Sequence, residues 1–288
     1  MSVWLPGAPC TPRACIDVTS RATAAPRAVA RLTAVVLLLL AGIALTPLGG
    51  RLPAAWVRGW SRTVVRAAGV RVRITGAAPP DGGLLLVANH ISWLDVPLLA
   101  AVRPARMVAK QEIRTWPVAG RIVARGGVLF IDRDRLRAMP GTVARLADVL
   151  RGGQAVAVFP EGSTWCGRAQ GRFRRAAFQA ALDAGVPVQP VRIRYRTGGG
   201  AASTAPAFIG DDSLLASLWR VVTARGLVAD VDVRPWLAPS GTRRDLAAAA
   251  ESAARGADAR ASGHAPYVRP ARAVRGGPAQ RTTAASSR

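Results

Sequence analysis

Asparagine and lysine are nearly absent from this chain, Asn89 and Lys110 being the single instances of each. A nucleotide bias toward arginine, alanine and glycine accounts for such depletion, so the two positions that keep the rare types are candidates for a specific chemical need. Histidine occurs twice, as His90 and His264. His264 falls in a polar tail, which leaves His90 as the one imidazole in the patterned part of the chain. Cys10, Cys15 and Cys166 are an odd number without C-x-x-C spacing. Neither a disulfide framework nor a zinc site is indicated, and a reducing compartment fits. Cys166 also lacks a second imidazole that would activate it as a nucleophile. No G-x-S-x-G string is present, which counts against an α/β-hydrolase. Acidic residues are scarce: 16 Asp and Glu face 40 Lys and Arg, for a net charge of +24 and a pI of about 11.9. That polarity favours anionic partners. No zinc-finger spacing, RNP-like strand or basic region feeding heptads is found, so an anionic membrane surface is preferred to nucleic acid.

Residues 1–26 are rich in Pro, Ala and Thr and are expected to be disordered. Residues 27–75 read as a membrane-associated helical segment. Within it, Leu32 to Gly50 is free of charge for 19 residues, the lower limit for crossing a hydrocarbon core of about 30 Å, as a span or a re-entrant hairpin. A signal peptide is the competing reading, with Ala44-Leu45-Thr46 as a small-x-small site, although Pro47 disfavours cleavage there. From Arg51 to Val72 arginines alternate with apolar groups, Trp56 and Trp60 among them. That pattern suits a helix at a membrane interface or an amphipathic helix packed on its own domain.

Residues 76–238 show strands alternating with helices, the signature of an α/β domain: a mixed central sheet flanked by helices. The strand candidates are 84–88, 106–109, 127–131, 155–159, 186–195 and 228–233. The helix candidates are 142–150, 174–184 closed by Gly185, and 213–224 closed by Gly226 with Asp212 as N-cap. Residues 239–288 lose apolar periodicity and are expected to be a mostly disordered tail, with 244–255 as a possible short helix.

The most informative string runs from Asn89 through His90 to Asp95. It follows the apolar strand 84–88, where an α/β sheet places its chemistry. An imidazole accepts a proton from a hydroxyl near neutral pH, and a carboxylate five positions on can fix its tautomer and stabilise the imidazolium. Gly127 to Arg133 reads as a strand ending in a guanidinium, which can form two parallel hydrogen bonds to a phosphate. Phe159-Pro160-Glu161-Gly162-Ser163-Thr164 ends another strand; Gly162 allows close backbone approach, and Ser163 and Thr164 can donate to phosphate oxygens. Val186 to Val191 is a further apolar strand.

Together, and in this order, these strings resemble the four motifs of the lysophosphatidic acid acyltransferase family, the 1-acylglycerol-3-phosphate O-acyltransferases, over residues 51–238. The first family motif, NHxxxxD, matches Asn89 to Asp95 and implies His90 as general base with Asp95 as its partner. The second implies Arg133 as a ligand of the acceptor phosphate. The third is usually FPEGTRS, whereas this chain has Thr164 and Trp165 after Ser163, so one phosphate-binding arginine is replaced; Arg168, Arg172 and Arg174 are the candidates to compensate. The resemblance implies transfer of a fatty acyl group from acyl-CoA or acyl carrier protein to the hydroxyl of a lysophospholipid. It requires no cofactor and no metal. 1-Acylglycerol-3-phosphate is the first acceptor, and another lysolipid such as a lyso-aminolipid the alternative. The expected substrate-binding set is Asn89, Lys110, Arg133, Glu161, Gly162, Ser163 and Thr164, in a membrane protein whose catalytic domain faces the cytoplasm. A hydrolase using the same His/Asp pair on water and a non-catalytic basic surface-binding protein are the rivals.

Overall fold

The computed structural model describes residues 8–17, 25–45, 48, 52–111, 127–131 and 136–256. Its centre is one sheet of strands β1 (Arg71–Gly76), β2 (Leu84–Ala88), β3 (Arg106–Lys110), β4 (Leu129–Ile131), β5 (Ala155–Val158), β6 (Val188–Arg196) and β7 (Val228–Val233). They are ordered β1-β7-β6-β2-β5-β3-β4. All neighbours run parallel except β6 and β7, so the sheet is mixed as expected. The helices are α1 (Pro12–Cys15), α2 (Ala25–Leu45), α3 (Ala54–Ala67), α4 (Asp95–Val102), α5 (Met139–Arg151), α6 (Ala176–Ala184), α7 (Leu214–Thr223) and α8 (Arg243–Arg255).

β2 explains why the sheet is covered on both sides. Every one of its residues is buried, so the run is continuously apolar rather than alternating. Leu84, Leu86 and Ala88 enter one core with Leu98 and Leu99 of α4, Val65 of α3 and Val221 of α7. Leu85 and Val87 enter the other, with Leu146 and Leu150 of α5, Phe178 of α6 and Leu246 of α8. β5 and β6 flank β2 in parallel, so the carboxyl ends of all three strands meet at one edge.

Helix ends follow local chemistry. Gly185 closes α6 at φ +64°, a left-handed position that favours glycine. The expected N-cap Asp212 is corrected to Ser213, whose side chain accepts from Ala216 N. Asp212 instead pairs with Arg220 at 2.6 Å. Besides α1, which lies in the stretch expected to be disordered, two elements escaped the sequence reading. β1 sits where the interfacial helix was expected to end, and α4 is a short apolar helix without a clear stripe.

α2 has 21 residues, and an 18-residue stretch of it has a mean hydropathy of 2.4, long and apolar enough to cross a membrane. Its length, about 31 Å at 1.5 Å per residue, equals a hydrocarbon core. One face docks on the domain: Arg31 donates to Val222 O and Ala224 O, each at 2.8 Å, and Ala28 and Val35 are buried. The opposite face leaves Val36, Leu37 and Leu40 exposed. α3 divides in the same way. Val64 and Val65 are buried while Trp56 is 68% exposed. At Gly42 the two helices approach so closely that a Cβ would lie 2.4 Å from the Trp60 ring.

Both terminal expectations need correction within the described residues. Residues 8–17 pack on the domain: Cys10 is buried, and Asp17 receives Arg168 Nη2 on both oxygens at 2.8 and 2.9 Å. These contacts join distant parts of the chain and leave no local pattern. They also bring Cys10, Cys15 and Cys166 together, a grouping that their spacing in the sequence did not indicate. Residues 1–7, 18–24 and 257–288 lie outside the described set. The domain itself continues past residue 238 through α8, which opens with a reciprocal capping box between Thr242 and Asp245. Leu246, Ala247, Ala250 and Ala254 are buried in the core, so this helix is part of the cooperative unit. Thr242→Ala is therefore expected to lower the unfolding free energy of the detergent-solubilised protein by about 1 kcal/mol. Denaturant unfolding followed by tryptophan fluorescence checks this, and an unchanged midpoint would show that α8 frays independently.

Candidate active site

The chain leaves β2 through Asn89 and His90 and turns into α4, whose first residue is Asp95. The turn wraps the Asp95 carboxylate. Its Oδ2 accepts from Ile91 N at 2.6 Å, from Ser92 N at 2.8 Å and from His90 Nδ1 at 2.9 Å. Its Oδ1 accepts from the Tyr195 hydroxyl at 2.6 Å. Asp95 is fully buried, whereas the His90 side chain is 22% exposed. A carboxylate at Nδ1 holds a proton there, so the neutral ring presents a bare Nε2 as the base. The ring is also held flat, stacked on Phe159 with centroids 3.9 Å apart and planes 11° off parallel. Burial, then the charge of Asp95, pushes the Tyr195 hydroxyl well above its ordinary range, so it stays a donor.

The segment after β5 forms the other wall. Glu161 is buried and accepts from His90 N at 2.9 Å and Gly171 N at 3.1 Å, tying the two loops together. Burial pushes its carboxyl up to about 8, although both N–H bonds pull the other way. Trp165 N donates to His90 O at 2.8 Å, a second tie between the loops. From behind, α8 fixes the same segment: Phe173 N donates to Glu251 at 2.6 Å, and Arg255 donates to Gly171 O at 3.0 Å.

A cleft of about 490 Å³ opens here, lined by Glu161, Ser163, Trp165, Arg172, Arg174 and Arg175. Three guanidinium groups border it. Ser163 Oγ and Trp165 Nε1 are buried without a hydrogen-bond partner among the described residues. Such an arrangement suits an anionic headgroup, which takes charge-assisted hydrogen bonds and satisfies orphaned donors.

The structure sorts the predicted residues. His90 and Asp95 are in hydrogen-bond contact, and Glu161, Ser163 and Thr164 follow on the adjacent strand end. Gly162 has φ +79°, the backbone turn that glycine allows there. Asn89 does not face a ligand, contrary to its expected substrate-binding role. It is buried, with Nδ2 donating to Ile193 O at 3.0 Å and Oδ1 accepting from Ile193 N at 2.8 Å, so its amide bridges β2 to β6. Lys110 ends β3 opposite Ile131 of β4, and its side chain lies outside the described atoms. Arg133 is likewise outside the described residues. Of the candidate compensating arginines, Arg172 and Arg174 line the cleft, while Arg168 is committed to Asp17. Sequence reasoning missed Tyr195 and Phe159 as supports of the pair. One signal was available for the first, since the chain has only two tyrosines and one of them closes an apolar strand.

Comparison with known proteins agrees with this geometry. A family model described as Acyltransferase matches residues 69–194. The lyso-ornithine lipid O-acyltransferase of Pseudomonas aeruginosa is 40% identical over 221 residues, covering 75% of this chain and 81% of the relative. The 1-acyl-sn-glycerol-3-phosphate acyltransferase of Neisseria meningitidis serogroup B is 37% identical over 172 residues, covering 59% and 67%. Among solved structures, the 1-acyl-sn-glycerophosphate acyltransferase PlsC from Thermotoga maritima shares the fold with a TM-score of 0.50 and 21% identity, over 73% of this chain and 81% of that one. The order of the motifs, the hydrogen-bonded His90–Asp95 pair and the extent of these matches lead to one conclusion: the chain belongs to the lysophosphatidic acid acyltransferase family of O-acyltransferases.

Proposed function

We propose that this protein transfers a fatty acyl group from acyl-CoA or acyl carrier protein to the hydroxyl of 1-acylglycerol-3-phosphate at a membrane surface. The observation that carries the reading is the His90–Asp95 contact beside an arginine-lined cleft. His90 Nε2 takes the hydroxyl proton as the oxygen attacks the thioester carbonyl. Asp95 stabilises the imidazolium, the C–S bond breaks, and the departing thiolate takes up the proton from His90. No acyl-enzyme forms, so no serine nucleophile is required. Arg172 and Arg174, with Arg133 on the motif that resembles the family's second, bind the phosphate.

A second acceptor, a lyso-ornithine lipid, is favoured by Thr164 at the position of the family's arginine and by the name of the Pseudomonas relative. Its carboxylate would use the same guanidinium groups. For the setting, the apolar outer face of α2 and the exposed Trp56 of α3 support insertion into the bilayer. Arg58, Arg62 and Arg66 on α3 support attachment to anionic lipids, with the domain facing the cytoplasm.

The test offers the full-length protein labelled acyl-CoA or acyl carrier protein with each lysolipid in turn and separates the lipid products. Labelled diacyl lipid, lost in His90→Ala, is the expected result; labelled free fatty acid as the sole product would identify a hydrolase. In the same assay, Arg172→Ala is expected to raise the acceptor KM about tenfold and leave the thioester KM unchanged, as the loss of one charged hydrogen bond predicts.

Protonation of Glu161 sets the net charge of the cleft and also links to stability. Its folded pKa of about 8 lies above the ordinary 4.5, so between these values the folded state holds a proton that the unfolded state has lost. Stability is therefore expected to fall as pH rises across that window, by at most about 1.4 kcal/mol per unit, and to level off above it. Glu161→Gln should flatten this slope whatever it does to the absolute stability. Equal slopes in parent and variant would show that Glu161 is ionised throughout.

A further inference from the structure

Cys10, Cys15 and Cys166 are the only cysteines in the sequence, and the fold gathers all of them. Their three sulfur atoms lie within 4.8 Å of one another. The first two are set by a single helical turn. Thr11 caps α1 by accepting from Ala14 N, and Cys15 N bonds back to Thr11 O at 3.0 Å, so Cys10 and Cys15 sit at opposite ends of one turn. Cys166 comes from the loop that follows Ser163, Thr164 and Trp165. The ion pair of Asp17 with Arg168 holds the two segments together, and Asp17 N bonded to Thr204 Oγ1 at 3.0 Å fixes the first of them on the domain. Cys10 and Cys166 are buried and Cys15 is half-buried, so the group meets solvent on the Cys15 side.

We propose that these three thiolates bind one thiophilic metal ion of the zinc(II) class, with a fourth position open to water beside Cys15. Sulfur donors select soft or borderline ions over magnesium or calcium. Zn–S bonds of about 2.3 Å in a tetrahedron need sulfurs about 3.8 Å apart, so each must move by less than about 1 Å. The backbone N–H groups of Ala169 and Arg168 favour the thiolate form of Cys166, the kind of support that metal-bound thiolates use. Binding exchanges each S–H bond for a metal–sulfur bond and releases the protons to water, with no change of oxidation state. The ion ties the N-terminal segment to the loop whose Trp165 N–H holds the His90 carbonyl, so its binding firms one wall of the active site.

Cadmium(II) is the probe, because its thiolate charge-transfer absorption reports sulfur ligation directly. The full-length protein, freed of any histidine tag and fully reduced, is titrated in detergent. One equivalent is expected to bind per chain with that absorption, to raise the melting temperature, and to shield all three cysteines from N-ethylmaleimide as read by mass spectrometry. Cys10→Ser, Cys15→Ser and Cys166→Ser should each weaken binding by about a hundredfold, because a serine hydroxyl stays protonated and is a poor ligand. The alkylation readout uses the parent protein alone and so holds even where a variant folds poorly. No charge-transfer absorption, unchanged alkylation with metal present, or variants that bind as the parent does would overturn the proposal. So would a disulfide that forms in air while the reduced protein takes up no cadmium.

Discussion

A carboxylate with no exposed surface stands at the centre of this molecule. Removing Asp95 from water is costly, and the cost is met only because four donors converge on it: two backbone N–H groups of its own turn, the His90 ring and the Tyr195 hydroxyl. Those donors come from the end of β2, the turn into α4 and the far end of β6. Satisfying one charge therefore fixes the relative positions of three elements. The same contacts leave His90 a single tautomer and a single ring plane, with Phe159 closing its face. The Asn89 bridge to Ile193 works alongside, holding β2 against β6 one residue before the imidazole.

A second wall depends on the first. Glu161 accepts the His90 N–H, Trp165 donates to the His90 carbonyl, and α8 braces the segment that follows at Gly171 and Phe173 through Arg255 and Glu251. The arginines that border the cleft lie on this wall, so in the proposed reaction headgroup binding and proton transfer fall to different residues. On the other side α3 packs on α4, the helix that Asp95 begins, and presents Trp56 outward. One helical layer thus separates the buried carboxylate from the surface suited to lipid.

Features written in short stretches of sequence were legible. The unbroken run 84–88 announced a strand buried on both faces, Gly185 marked the end of α6, and the five-residue spacing of His90 and Asp95 announced their contact. Features made by distant contacts were not. Tyr195 reaches Asp95 across 100 positions, the arginines of β1 mask a sheet edge, and Cys10 and Cys15 meet Cys166 only once residues 8–17 fold back on the domain. Asn89 was rightly singled out by its rarity and wrongly assigned to a ligand, because composition marks that a residue is needed without saying what for. The helix offered over 244–255 is present as α8, whereas its burial in the core, made by contacts with distant elements, was not foreseen.

Asp95→Asn tests the central claim most directly. Asparagine keeps the shape, its oxygen can still accept the two backbone N–H groups and His90 Nδ1–H, and the Tyr195 hydroxyl can turn to accept from its amide. The fold should survive while the charge that stabilises the imidazolium is lost. The measurement is kcat for diacyl lipid formation at saturating thioester and lysolipid, alongside the melting temperature. A fall of about a hundred- to ten-thousandfold in kcat with melting little changed is the predicted result. A kcat within about threefold of the parent would contradict a mechanism in which Asp95 supports His90 as the base.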